Sequence, residues 1–348
     1  MKPVLFVTNH VPPDRVGAFA ALHRRLPIEL ALFGGRSTHA TEGVDDPGVP
    51  HRHVEQQRAI ARLAASGRYR AVVCGTAGRV ALPAAWRGAR AGRTPFVLWS
   101  ALWAHPRTTA HLIGGAPLMA ALYRDADAVV AYGPHVAAFA KAHGARNIHI
   151  APQAVDNAFW SADVLAERTA SFVAVFLGRP GRAKGASMLL DAWRQSGAGA
   201  SAAALVLVGV GTGPPRNPAG GAVVFIGRQP PVQVRNFLAV ADVCVIPSLR
   251  TRTFREPWGL VANEAMNQST PVIASDEVGA VAGGLVRHER NGLVFPAGDV
   301  SALAGALRRM HDDRHLRVTL GANARRDVAA YTFEAWAGGF ERAIGSLR

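Results

Sequence analysis

Cysteine is almost missing from this chain: of 348 residues only Cys74 and Cys244 carry a thiol, far apart and each inside an apolar run. That excludes a disulfide framework and any cysteine-based zinc site, and it fits a reducing compartment. No run of about 18 apolar residues occurs, so no segment reads as a bilayer span. The apolar run at residues 4–7 is too short for the core of a signal peptide, and the expected location is the cytoplasm. There is no low-complexity tract and no short-period repeat. Carboxylates are scarce: 24 Asp and Glu stand against 39 Lys and Arg, only three of them lysine, for a formal charge of +15. Residues 1–157 hold 18 basic and 9 acidic residues, and the remainder 21 and 15, so the first half is the more basic. Such a surplus favours anionic partners, including peripheral contact with an anionic membrane. The plainer alternative is solvated arginine spread over the surface. No basic stripe interleaved with aromatics and no nucleic-acid module is present, so nucleic acid is not an expected partner.

What is present is alternation. Short apolar runs at 4–7, 28–33, 71–74, 96–99, 128–131 and 148–150 each end in a loop rich in Gly, Ser, Asn or Pro. Amphipathic stretches such as 54–65, 80–91 and 117–124 lie between them. The pattern restarts after Asp156, with strand-like runs at 172–177, 204–208, 223–226, 243–246, 272–274 and 293–295. Near-continuous apolar strands separated by helices specify parallel sheets covered on both faces, with ligands gathering beyond the strands' carboxyl ends. The expected architecture is α/β, two doubly wound Rossmann-like domains facing across a cleft. Residues 1–157 form the first and 158–332 the second, joined by a linker near 156–169. The last helix, about 333–347, carries Phe333, Trp336 and Phe340 on one side and is placed to return to the first domain.

The most informative stretch follows the run at 243–246. Arg255-Glu256-Pro257-Trp258-Gly259-Leu260-Val261 leads into a helical segment reaching Asn267, with Glu264 about a turn and a half inside it. The first amides of such a helix, those of Gly259, Leu260 and Val261, have no partners within it, and its dipole adds positive potential. A diphosphate is the natural occupant. Glu256 beside that anion can meet sugar hydroxyls and Glu264 can take a ribose diol, so the site reads as one for a nucleotide sugar. The spacing of the two glutamates alone carries little; the strand, Glu-Pro-Trp-Gly and helix around them carry the weight.

Three further loops end strands in the same half. Gly178-Arg179-Pro180-Gly181-Arg182-Ala183-Lys184-Gly185 lets backbone approach a ligand and offers Arg179 and Lys184 to a diphosphate; a basic loop without a ligand is the rival reading. Gly209-Val210-Gly211-Thr212-Gly213 superficially matches a dinucleotide fingerprint. However, Pro214-Pro215 follow where that fingerprint would start its helix, so a glycine turn leaving room for a ligand is preferred. Arg228, after the run at 223–226, could flank a base or simply be solvated.

Taken together, residues 172–331 resemble the nucleotide-sugar-binding half of a family 4 (retaining, GT-B fold) glycosyltransferase. The resemblance rests on the Gly-Arg-x-x-x-x-Lys-Gly loop at 178–185 with Leu189-Leu190-Asp191-Ala192, then Val208-Gly209-x-Gly211. It continues through Glu256-x7-Glu264 into Thr270-Pro271-Val272-Ile273-Ala274, and ends with Asn291-Gly292-Leu293-Val294-Phe295-Pro296 and Asp299. It implies that Arg179 and Lys184 grip the donor diphosphate, that Glu256 faces the donor sugar, and that Glu264 meets the ribose. The amides of Trp258, Gly259, Leu260 and Val261 would hold sugar hydroxyls and phosphate. It also implies transfer with retention to a hydroxyl acceptor, assisted by the departing phosphate oxygen. No cofactor beyond the nucleoside-diphosphate sugar as co-substrate is expected.

The first half matches that pattern less fully. Where many members have a Gly-Gly pair after the first strand, this chain has the single Gly17 after Asn9-His10-Val11-Pro12-Pro13. The histidine that members often carry after a middle strand has His105 as its counterpart, with His111 as a rival. Asp125-Ala126-Asp127 is similar to a metal motif of the other main glycosyltransferase fold. Its place at a helix end before a strand suits a cap or turn, and no metal is expected. Two other functions share the architecture: a nucleotide-sugar epimerase, and a non-catalytic partner that binds a nucleotide sugar. An NAD-linked oxidoreductase ranks last, because the glycine turn continues wrongly.

Overall fold

The computed structural model describes residues 2–34, 43–76, 78–168, 170–200, 202–211 and 222–347. The chain begins β1 (Val4–Thr8), α1 (Val16–Arg25), β2 (Ile28–Leu32), β3 (His51–His53), α2 (Ala59–Ala64), β4 (Ala71–Gly75), α3 (Ala81–Ala91) and β5 (Phe96–Ser100). It continues α4 (Ala116–Asp125), β6 (Ala128–Ala131), α5 (Pro134–Ala142), β7 (Ile148–Ile150) and α6 (Asn157–Trp160). Then come β8 (Phe172–Leu177), α7 (Ala186–Ser196), β9 (Ala203–Val208), β10 (Ala222–Ile226), α8 (Pro231–Val240), β11 (Val243–Ile246), α9 (Val261–Asn267) and β12 (Val272–Ser275). The chain closes with α10 (Gly279–Ala282), β13 (Gly292–Phe295), α11 (Val300–Asp312), α12 (Arg314–Val328) and α13 (Phe333–Gly345). It divides into two compact units, residues 1–156 with 331–348, and residues 157–330.

Every strand pairing among the described residues is parallel. The first unit has a seven-stranded sheet in the order β3-β2-β1-β4-β5-β6-β7, and the second a six-stranded sheet in the order β10-β9-β8-β11-β12-β13. In each, the chain builds outward from the middle in one direction and then in the other. Strand order therefore reverses between β1 and β4, and between β8 and β11, where loops leaving the carboxyl ends diverge and open a crevice.

Alternate residues of one strand serve opposite faces. In the first sheet Phe6, Val73, Val97 and Val130 face α1 and α13, while Val72, Cys74, Phe96 and Leu98 face α2, α3 and α4. The α13 side is aromatic. Trp336 and Phe340 lie 4.6 Å apart, Phe340 is 5.2 Å from Phe6, and Phe6 meets Phe19 edge-on at 5.0 Å. Trp336 is fully buried, so the last helix completes the core of the unit that the chain's beginning starts. Arg25 pairs with Glu341 at 2.7 Å on the rim.

Two sequence expectations shift. The helix expected over 54–65 starts only at Ala59, because the preceding chain is drawn into the sheet: Leu30 pairs with His51, Leu32 with His53, and the Val54 amide reaches the Leu32 carbonyl at 2.8 Å. The expected linker at 156–168 contains α6, which is anchored inside the second unit by a 2.9 Å bond from Asn267 to Asn157; Thr169 lies outside the described residues. Trp336→Ala is expected to destabilise the first unit by about 3–5 kcal/mol, read as a lowered urea midpoint for that unit's transition.

Candidate functional site

The β8 run ends in Gly178, and the loop after it closes in a 3-10 turn at Arg182–Lys184 before α7. Gly185 links turn to helix in the left-handed region at φ +74°. A Cβ there would stand 1.9 Å from the Pro247 carbonyl oxygen, so only glycine lets the turn sit against the chain leaving β11. The Leu249 amide fastens the seat by donating to the Ala183 carbonyl at 2.8 Å. Lys184 is thereby carried to Glu256: Nζ lies 2.5 Å from Oε2, and Ser248 Oγ donates to the same oxygen at 3.1 Å. The Glu256 side chain is almost entirely buried, while the Lys184 side chain as a whole keeps about a quarter of its surface exposed, at 27%. The Lys184 ammonium also lies 5.6 Å from the Phe254 ring centroid.

Glu256 is held from the other side by α10. It bridges Val278 in parallel fashion, and its carbonyl accepts from the Gly279 amide at 3.2 Å. Gly279 has no room for a side chain, because the Pro257 carbonyl would lie 2.0 Å from its Cβ. Trp258 is buried and donates its indole N–H to Asn263 at 2.7 Å, so its side chain anchors the loop. The glutamate therefore comes from a loop pinned at both ends, at the point where the strand order of the sheet reverses.

The following helix corrects the sequence reading. Gly259 takes φ +90° and helical structure begins at Val261, with Leu260 as N-cap and no side-chain cap bond. Glu264 thus lies in the first turn, where a carboxylate also complements the helix dipole. Cys244 of β11 feels it: burial pushes this thiol up, and the Glu264 charge adds to the push.

Beyond β8 and β9, Gly178 and Gly209 come together. The Gly178 amide donates to the Val208 carbonyl at 3.0 Å, and a Cβ on Gly209, at φ +89°, would approach the Gly178 carbonyl to 2.6 Å. Gly211 has φ +98° with open space around its Cβ position. Thr212 and Gly213 lie outside the described residues. Arg179 and Arg228 are exposed at strand ends, and neither has an ion-pair partner among the described residues. Ser248 was not singled out from the sequence; its signal is its place directly after Pro247 at the end of β11.

In the first unit, Gly17 has a packing reason, since its Cβ would meet the Phe333 ring at 2.4 Å. His105 and His111 are not alternatives. His105 Nδ1 is 3.0 Å from His111 Nε2, and His105 Nε2 is 3.2 Å from His143 Nε2. His143 Nδ1 is 2.8 Å from the Phe139 carbonyl, which can only accept. Proton counting then orders the neutral chain. His143 gives its proton to that carbonyl, His105 donates through Nε2 to His143, and His111 donates through Nε2 to His105. Both nitrogens of His105 are spent, and the open nitrogen of the chain is His111 Nδ1. Burial lowers the His105 pKa, and the neighbouring His143 and His111 lower it further. Asp125 and Asp127 also have occupations: Asp125 accepts from Trp86 at 2.5 Å and Arg90 at 2.6 Å, and Asp127 from the Phe96 amide at 2.7 Å. Sequence reasoning passed over Arg15. It is buried after β1, bonded to Gln153, and its Nη1 has no hydrogen-bond partner among the described residues.

Residues 171–313 match the family described as Glycosyl transferases group 1. Over 176 residues the chain is 30% identical to the D-inositol 3-phosphate glycosyltransferase of Jonesia denitrificans, an overlap covering 47% of this chain and 40% of that protein. An uncharacterised glycosyltransferase of Methanocaldococcus jannaschii is 36% identical over 107 residues, covering 30% of this chain and 25% of that protein. The chain thus matches less than half the length of these relatives. Among solved structures, Anabaena Alr3699/HepE in complex with UDP and glucose superposes with a TM-score of 0.76 over 100% of both chains at 18% identity. Sucrose-phosphate synthase from Thermosynechococcus elongatus gives 0.69 at 20% identity over 98% of both. The fold is α/β of the GT-B class.

Gly185→Ala is expected to cost at least about 1–3 kcal/mol, because positive φ and the Pro247 carbonyl both oppose it; urea denaturation reads this. For His105 and His111, the sign follows from their lowered pKa values. Below the ordinary imidazole value of 6.5, the unfolded chain binds protons that folded His105 refuses. Their contribution is therefore present above about pH 6.5 and lost as pH falls toward the folded pKa. His105→Phe should flatten that loss in a series of urea midpoints between pH 7 and 5 (about one imidazole range).

Proposed function

We propose that the chain is a glycosyltransferase that takes a sugar from a nucleoside diphosphate and passes it to a hydroxyl acceptor with retention. The observation that carries this reading is the Lys184–Glu256 pair at the switch point of the second sheet, within the segment matching the glycosyltransferase family.

The chemistry follows from donors and charges. An ammonium has three N–H donors. One faces Glu256, and the exposed part of Lys184 leaves the others for diphosphate oxygens. Arg179, on the same loop, adds a second cation, and the amides of Trp258, Gly259, Leu260 and Val261 add neutral donors. Gly178, Gly209 and Gly211 give the diphosphate close backbone, Arg228 flanks the base, and Glu264 meets the ribose. Negative charge growing on the departing diphosphate is the main thing to stabilise, and fixed cations and amides do so without reorganising. Glu256 serves the donor sugar and holds Lys184 in place meanwhile. In the first unit, Gly17 belongs to the donor-binding set and His105 to the catalytic one, near the donor sugar. There the open nitrogen of the histidine chain, His111 Nδ1, is the better placed to meet a ligand. No metal and no further cofactor enters the scheme. Uridine donors come first for testing, since HepE has been solved with UDP and with UDP-glucose. A phosphate-bearing acceptor suits the chain's basic charge and is the substrate type in the name of the Jonesia relative.

Donor hydrolysis and transfer with UDP-, GDP- and TDP-sugars test the reading, alongside thermal shift with the same nucleotides. Lys184→Ala is expected to lower kcat/KM by about 100- to 1000-fold, and Glu256→Gln to lower kcat. Full activity in both variants would remove the site from the mechanism. Binding without turnover would instead support a non-catalytic partner, and an isomerised donor an epimerase.

A further inference from the structure

From Gln56 to Arg124 the sequence runs 69 residues without one Asp or Glu and carries 10 arginines. The fold gathers this stretch onto one side of the first unit. Ile60 and Ala64 of α2, Leu82 and Ala85 of α3, and Leu122 and Tyr123 of α4 pack into the same core on one face of the sheet. Arg90 and Trp86 of α3 reach Asp125 at the end of α4, which ties the layer together. The polar sides of these helices point away from the sheet, and Arg58, Arg62, Arg79, Arg87, Arg107 and Arg124 are all exposed. The nearest carboxylates after the stretch, Asp125 and Asp127, are already paired with Arg90.

The same layer carries exposed aliphatic side chains. Residues 111–115 form a π-helical turn running into α4, and within it Leu112 is 57% exposed and Ile113 75%. Gly114 and Gly115 follow with no side chain to shield them. Val80, at the start of α3, is 43% exposed. Single exposed apolar residues are ordinary; two adjacent ones at a helical tip, within a stretch that carries ten arginines and no acid, are a different surface. Among the described residues no aromatic is one of the exposed large apolar side chains, so the described surface lacks the stacking platform that single-stranded nucleic acid uses. Arginines that attract lipid phosphates and aliphatic tips that enter the acyl boundary are the two signals stable membrane association requires.

We propose that this arginine-coated helical layer, tipped by Leu112 and Ile113, docks the first unit onto an anionic phospholipid bilayer. Flotation of the full chain with vesicles of phosphatidylcholine alone, and of phosphatidylcholine with phosphatidylglycerol, measures the docking. The wild type is expected to float with the anionic vesicles and to be released by salt. Leu112→Ser with Ile113→Ser should weaken partition at least about tenfold, and Arg62→Ala and Arg87→Ala about fivefold each. Ile113→Cys offers a second reading, because Cys74 and Cys244 are buried and a polarity-sensitive fluorophore would label only the tip. Its emission should shift to the blue on anionic vesicles. Absence of flotation, or unchanged flotation of the Leu112/Ile113 variant, would overturn the proposal. So would an unshifted fluorophore, or tighter binding to polyuridylate that ignores the Leu112/Ile113 change.

Discussion

Backbone packed against backbone is the constraint on which the second unit's site depends. Three carbonyl oxygens, those of Pro247, Gly178 and Pro257, fill the volumes where Gly185, Gly209 and Gly279 would otherwise carry Cβ atoms. Each contact joins a loop from one strand's carboxyl end to the chain leaving another. Loops so joined have little freedom left, and ligand groups placed by them cost little ordering on binding. The Lys184–Glu256 pair is a product of this: its partners are 72 residues apart in sequence and come from the two sides of the switch point.

The pair is also electrostatically consistent. A nearly buried carboxylate is expensive unless a cation and a donor meet it, and Lys184 and Ser248 do so on one oxygen. The Lys184 side chain keeps 27% of its surface exposed while its ammonium meets the carboxylate. The ion pair and the bond from the Leu249 amide to the Ala183 carbonyl together fasten the basic loop to the chain leaving β11.

The first unit is organised by different means. Its sheet is sealed on one face by aromatic rings from both ends of the chain, Phe6 and Phe19 against Trp336 and Phe340. On the other face, helices α2 to α4 are apolar inward and basic outward. The histidine chain stitches the loop after β5 to the end of α5 through two N–H···N bonds. One added proton can be taken at His111 Nδ1 without losing a bond; a second would set two N–H groups against each other. The unit's response to acid is therefore built into its hydrogen-bond count.

Much of this was legible without coordinates. Runs such as 172–177, 243–246 and 128–131 are buried strands at those residues, because a strand apolar on both faces has one way to avoid water. Lys184 and Glu256, singled out in separate sequence motifs, meet in the second unit. Local pattern failed where distant chain intervened. His51–His53 is a polar edge strand recruited by β2, the start of α9 is set back by the positive φ of Gly259, and His105 meets His143 only when α5 folds beside it. Periodicity and residue type act over a few neighbours, and so the sequence by itself determined the apolar strands, their parallel arrangement and the chemical character of the loops. Which lysine meets which carboxylate, which serine shares the oxygen, and which histidine keeps a nitrogen open are long-range contacts. Only the packing of sheet, loop and helix decided them.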